Sequence, residues 1–326
     1  MKFNDRRWLV CVVLLIVIQI AASPASYKTV FNETKFQLES ILQVLAVDAD
    51  TDQQKEILVT GKNYVDRELF IYCLDFKPGF TPVVKWRSDN LFEERSIIWT
   101  ALGNFGQGGQ QLLVLTTKWI YLYRVTPENL QLIQQIGNET EPLAVAVADM
   151  DGDGFSELLT AKVGAVTAKA YNCVLEIWKF QDNKFNKVHQ SDLLGNIRSL
   201  TAGDLDNDGI TEIVAEEGLR LDTGNIHVYN FKEDRLVEKT QFKLANNGAV
   251  YAMKIREFPD GKRLLTGSTK GKINQLGLSD GQVFTGLPEL SLKSSIVDIE
   301  AADLNDDGKP ELITASYPSK LTILSP

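Results

Sequence analysis

One nine-residue pattern recurs along this chain and narrows what it can fold into. Its clearest copy is Asp149-Met150-Asp151-Gly152-Asp153-Gly154-Phe155-Ser156-Glu157. A second copy runs Asp204-Leu205-Asp206-Asn207-Asp208-Gly209-Ile210-Thr211-Glu212, and a third runs Asp303-Leu304-Asn305-Asp306-Asp307-Gly308-Lys309-Pro310-Glu311. A fourth begins with Asp48, Asp50 and Asp52 and ends on Glu56, but carries Gln53 where the others have glycine. Every copy places side-chain oxygens at positions 1, 3, 5 and 9, and a tight turn aims them at one point. The carbonyls of Phe155, Ile210 and Lys309, at position 7, would add a further oxygen. An all-oxygen donor set of this kind suits calcium rather than zinc or copper. Carboxylates this dense repel one another unless a cation sits among them. Gln53 in a position that favours glycine implies strain of about 1 kcal/mol, which makes the Asp48 loop the weaker candidate.

The copies start at 48, 149, 204 and 303. Two of the gaps are nearly double the third, so a unit with an eroded loop is expected in each. Residues 102–114 retain the flanking apolar runs and turn glycines without carboxylates, and should not bind an ion. Residues 254–267 retain Asp260-Gly261 and a following strand. The repeat count becomes six, each of roughly 50 residues. Within a unit the pattern reads as four short strands. An alanine-rich strand such as Leu143–Ala148 precedes the loop and alternates with period two. A β-branched run such as Glu157–Ala161 follows it. An aromatic-rich strand such as Trp119–Tyr123 comes third, and a variable one, such as Val83–Trp86, fourth.

Repeated antiparallel four-stranded units predict an all-β chain folded as a β-propeller of about six blades, with seven as the alternative. The last unit runs out after its third strand, Leu321–Leu324. The segment from Tyr27 to about Phe36 has no unit of its own. It is expected to supply the missing outer strand and close the ring, which removes exposed sheet edges.

Composition excludes some functions. The formal net charge is −9, and no basic stripe offers itself to phosphate, which argues against nucleic acid as a partner. Two histidines are few for imidazole chemistry. Residues 1–25 read as an export signal: Lys2, Arg6 and Arg7, then an apolar run from Trp8 to Ile20, then small residues with cleavage after Ala25. An uncleaved anchor is the alternative, and membrane contact follows only from it. Cys73 and Cys173 lie in strand-like runs and are expected as buried, unpaired thiols.

At its loops the chain resembles the FG-GAP/VCBS repeat family, the propeller of integrin α-subunit heads. The resemblance covers nearly all of the segment 26–326 and rests on Asp-x-Asp-x-Asp-Gly-x-x-Glu followed by an apolar strand. It implies the propeller fold and structural calcium. Phe105-Gly106 lies in an eroded loop and Gly164-Ala165-Val166 only approximates Gly-Ala-Pro, so no integrin partner or activity is carried over.

Antiparallel topology sends the ion loops to one face and the second-to-third-strand turns to the other. The latter turns are long and polar, and Tyr64, Arg67 and Arg220 are the expected ligand contacts there. Trp86, Trp99, Trp119 and Trp178 are expected to pack between blades, and His189 and His227 to lie at the surface. Asn32 and Asn138 begin glycosylation acceptor patterns. The reading that results is an exported, calcium-stabilised binding or adhesion module for an extracellular protein or glycan. The alternatives are a polysaccharide lyase or hydrolase and a structural surface protein without a discrete ligand.

Overall fold

A computed structural model describes residues 27–33, 38–91, 99–166, 171–218, 223–232, 235–245, 247–279, 282–285 and 288–326. The proposed leader, residues 1–25, and Arg220 lie outside the described residues. Among those described, all regular structure is β, and no helix is long and apolar enough to cross a membrane.

The chain begins with β1 (Lys28–Glu33), which belongs to the last blade. Blade 1 follows as β2 (Ser40–Val47), β3 (Glu56–Asn63), β4 (Glu68–Lys77) and β5 (Thr81–Arg87). Blade 2 is β6 (Trp99–Gly103), β7 (Gln111–Leu115), β8 (Trp119–Val125) and β9 (Leu130–Gly137). Blade 3 is β10 (Ala144–Ala148), β11 (Glu157–Val166), β12 (Tyr171–Gln181) and β13 (Lys184–Gln190). Blade 4 is β14 (Asn196–Gly203), β15 (Glu212–Gly218), β16 (Asn225–Lys232) and β17 (Arg235–Lys243). Blade 5 is β18 (Val250–Phe258), β19 (Gly261–Ser268), β20 (Lys272–Ser279) and β21 (Gln282–Thr285), with the short β22 (Leu290–Ser291) also against β20. Blade 6 is β23 (Ile296–Ala302), β24 (Glu311–Ser316) and β25 (Lys320–Ser325), completed by β1 on the outside. Every pairing is antiparallel.

The chain is a six-bladed β-propeller, and the N-terminal strand closes it as the sequence predicts. The inner strands β2, β6, β10, β14, β18 and β23 touch in a ring. Six buried apolar clusters fill the six junctions between neighbouring blades. The middle strands feed two junctions at once because successive side chains point to opposite faces. On β3, Ile57 and Val59 pack toward blade 6 while Leu58 packs toward blade 2. On β7, Leu112 and Val114 face blade 1 while Leu113 and Leu115 face blade 3. Such strands read as unbroken apolar runs, because a sheet covered on both faces has no wet side. The outer strands β9, β13 and β17 alternate between half-buried and exposed positions.

Polar staples add to the apolar joints. Asp298 Oδ2 accepts the Val44 N–H at 2.9 Å, tying blade 6 to blade 1. Ser199 Oγ donates to the Val250 carbonyl at 2.7 Å, tying blade 4 to blade 5. The Arg256 guanidinium grips Glu300 with two nitrogens, tying blade 5 to blade 6. Cys73 and Cys173 are buried and unpaired. Trp86 and Trp178 pack between blades, but Trp119, expected there too, is 37% exposed. It is the first residue of β8, and its ring emerges where the blade meets solvent. His189 and His227 are half-buried rather than at the surface, His189 against the Phe231 ring at 4.8 Å.

Candidate metal centres and the opposite face

The four acidic loops join the first and second strands of blades 1, 3, 4 and 6, so they share one face. Their turn is the same each time. The position-1 carboxylate accepts the N–H of position 6: Asp149 from Gly154 at 2.9 Å, Asp204 from Gly209 at 3.3 Å, Asp303 from Gly308 at 2.7 Å, Asp48 from Gln53 at 3.2 Å. The position-5 carboxylate accepts the N–H two residues on, as Asp153 does from Phe155 at 2.9 Å. Position 6 is left-handed in all four, with φ of 86° at Gly154, 81° at Gly209, 79° at Gly308 and 76° at Gln53. Position 4 is left-handed as well, and in the first loop it holds the β-branched Thr51 at φ 66°.

The glutamate at position 9 divides its two oxygens. One accepts the N–H of position 2: Glu56 from Ala49, Glu157 from Met150 and Glu212 from Leu205, each at 2.8 Å, and Glu311 from Leu304 at 2.9 Å. The other oxygen faces the loop centre. There the position-1, position-3 and position-9 carboxylates of three loops come together, with oxygens mutually within 4.8 Å: Asp48, Asp50 and Glu56; Asp149, Asp151 and Glu157; Asp204, Asp206 and Glu212. Asp52, Asp153 and Asp208 flank these triads. In the Asp303 loop, Asn305 replaces an aspartate, and among the described residues no such triad forms. The eroded blade-2 loop keeps the architecture with a neutral substitute. Gln111 stands at the glutamate position and accepts the Phe105 N–H at 2.7 Å, while its own amide donates to the Gly109 carbonyl. In blade 5 the loop has shrunk to a two-residue turn, Pro259-Asp260.

What no motif announces is the lysine in three of these loops. Lys239 Nζ lies 2.6 Å from Asp206, 3.1 Å from Asp208 and 2.8 Å from Glu212. Lys179 Nζ lies 2.7 Å from Asp151, 2.5 Å from Asp153 and 3.7 Å from Glu157. Lys85 Nζ lies 2.6 Å from both Asp50 and Glu56. The lysines are far from their loops in sequence, so only the strand register reveals them. Protonation follows the contacts. Burial pushes the Glu157 carboxyl up to about 7, reinforced by Asp151 and Asp153 and opposed by the Met150 N–H and Lys179. Burial likewise raises Glu212 and Glu311. Hydrogen bonds to Asp151 and Asp153 raise Lys179, and burial, which alone would lower Lys85 and Lys239, is overcome by their carboxylate partners.

Do these residues fit a divalent ion? The donors are hard oxygens, which is the right chemistry. Three oxygens shut off from solvent, Asp48 Oδ1, Glu157 Oε1 and Asp206 Oδ1, have no hydrogen-bond partner. Each belongs to one of the triads. An orphaned buried carboxylate oxygen is costly, and an ion would satisfy it.

The opposite face carries the second-to-third-strand turns and the links between blades. Tyr64 and Arg67 sit together in the β3–β4 turn, with Tyr64 59% exposed and its N–H donated to Glu39 at 2.7 Å. Exposed apolar side chains collect here. Val65 joins Tyr64; Trp119, Val166, Tyr171 and Tyr317 mark turns of blades 2, 3 and 6; Leu143, Leu193 and Tyr251 mark the links or their ends. Among the described residues the acidic face exposes one large apolar side chain, Phe155. Along the axis lies a cavity of about 440 Å³ lined by all six inner strands, with Lys62, Arg198, Lys254 and Arg256 against one carboxylate, Asp298. A glycosidase would want two facing carboxylates there. The two acceptor patterns for glycans also differ. The Asn138 amide is committed to the Thr116 carbonyl at 2.5 Å, whereas Asn32 is exposed.

No family model matches the chain, and no curated protein matches it in sequence. Among solved structures it is similar to BBS1N, determined in complex with ARL6DN and soaked with mercury. The TM-score is 0.55 at 11% identity, covering 93% of this chain and 97% of that one. The likeness is one of fold. It matches a propeller to a propeller over almost the full length of both, and carries no site or partner across.

Proposed function

We propose that this chain is an exported propeller of the FG-GAP/VCBS type whose acidic loops take calcium and whose opposite face binds an extracellular protein or glycan. One observation supports the binding role: five of the exposed aromatic side chains, Tyr64, Trp119, Tyr171, Tyr251 and Tyr317, fall on the turn-and-link face, against Phe155 on the acidic face, while the exposed valines and leucine Val30, Val84, Leu132, Val188 and Val237 lie on outer strands. Tyr and Trp on rigid turns are what interfaces use as anchors. The calcium role is supported by the three carboxylate triads and their orphaned oxygens. Asp149, Asp151, Asp153, the Phe155 carbonyl and Glu157 would hold one ion. Asp204, Asp206, Asp208, the Ile210 carbonyl and Glu212 would hold another, with the Asp303 and Asp48 loops as further sites. A bound ion would supply charge neutralisation and turn rigidity, and the ring would present the far face as a flat platform.

The binding role is tested with a Trp119→Ala, Tyr171→Ala, Tyr317→Ala triple variant. It should keep the wild-type melting temperature and lose capture of cell-surface protein or glycan fractions in millimolar calcium. Undiminished capture by the triple variant would remove this face from the proposal. Calcium is tested by titrating chelator-stripped protein, where no heat and no change in melting would count against it. Export is tested by N-terminal sequencing of the secreted chain, expected to start at Ser26.

A further inference from the structure

The lysines recur too regularly to be incidental ion pairs. Lys85 and Lys239 occupy the same structural position, the extra residue at the β-bulge between the third and fourth strands of their blades. In blade 3 that bulge holds Val188, yet an ammonium still reaches the loop, because Lys179 comes from the third strand instead, one residue beyond the Leu158–Trp178 pair. Two different origins therefore deliver a cation to one point. Blade 2 has no loop carboxylates, and its bulge holds Ile133. Blade 6 has the carboxylates without the cation. Its bulge residue is Val30, and the position matching Lys179 is Ser325, whose hydroxyl bonds Glu311 at 3.0 Å. Among the described residues no lysine or arginine pairs with an Asp303-loop carboxylate.

We infer that Lys85, Lys179 and Lys239 are tethered counter-ions, each standing where its loop would otherwise need a free cation. This rests on reading the loops as cation sites. It divides them into two classes. The Asp48, Asp149 and Asp204 loops keep their shape without metal, and calcium enters them only by displacing an ammonium. The Asp303 loop, whose own Lys309 makes no ion pair with its carboxylates among the described residues, depends on calcium from solution. Displacement is physically open: lysine has a flexible four-carbon stem, and its partners are partly solvated. A divalent ion also brings one more positive charge than the ammonium it replaces, so exchange stays possible at high calcium.

The test uses full-length processed protein, stripped with chelator, and two opposite substitutions. Lys239→Met removes a tethered charge. It should lower the melting temperature in chelator and tighten calcium binding at that loop by about tenfold, since the ammonium spanning Asp206, Asp208 and Glu212 is gone and only Lys262, 3.4 Å from Asp204, remains. Val30→Lys adds a charge at an exposed bulge position that tolerates a long side chain. It should raise the melting temperature in chelator and weaken the tightest calcium step by about tenfold. Should Lys239→Met prove unable to fold without metal, Val30→Lys decides alone. Unchanged calcium affinity and unchanged chelator melts in both variants overturn the inference. If the wild type takes up no calcium at all, the calcium reading fails. The chelator melts still decide whether lysine is the loop's cation.

Discussion

Gln53 carries a local cost that its sister loops avoid. It holds φ at 76° in a position where the three sister loops use glycine, and Thr51 beside it is left-handed too. A side chain there crowds the following carbonyl, at about 1 kcal/mol. Gln53→Gly should therefore stabilise the fold by about 0.5–1 kcal/mol in urea melts, the lower figure allowing for the extra freedom glycine gives the unfolded chain. Cys73 offers a second check. Burial pushes its thiol up to about 12, with Glu56 adding to the effect. Since the thiolate is the reactive form, Cys73 should resist a thiol reagent at pH 8 in the folded protein and react at once in denaturant. The turn glycines and position-9 glutamates were legible in sequence because the motif spaces them locally. The lysines were not, because Lys239 meets Glu212 through a strand pairing that no short window contains.

The loop-plus-bulge pair behaves as one element, and blade 2 allows it to be rebuilt. Gln111 occupies the glutamate position with its amide turned to the Gly109 carbonyl, and Ile133 fills the bulge. Gln111→Glu would bury a carboxylate with no cation and lose that donor, costing about 1–3 kcal/mol. Adding Ile133→Lys should recover at least half of the loss. A double-mutant cycle in urea measures this, and additive effects would show that the two positions do not communicate. At this scale strand order and blade count were readable, because the middle strands are apolar on both faces and the loops recur. Trp119 was misplaced for a related reason. An aromatic in a strand reads as core, and nothing local to β8 shows that its first residue lies past the end of the blade.

For the whole molecule, the sorting of charge to one face and exposed aromatics to the other follows from antiparallel topology. Only the first half of that division was visible beforehand. Tyr64 and Arg67 do fall on the aromatic face, but the wider set comes from turns whose residues share no motif. Calcium should act on the melt mainly through the Asp303 loop. With free ion at ten times Kd that site adds about 1.4 kcal/mol, so chelation should lower the melting temperature by about 2–3 °C for a domain of this size. A drop about four times as large would mean that all four loops depend on free ion. The closure of blade 6 by β1 sets an order of events. Among the described strands, β1, first of the ring in chain order, pairs with β25, the last. Until β25 has left the ribosome, β1 has no partner and the nascent ring stays open, so a product cut short of β25 keeps a bare edge for chaperones or proteases to find.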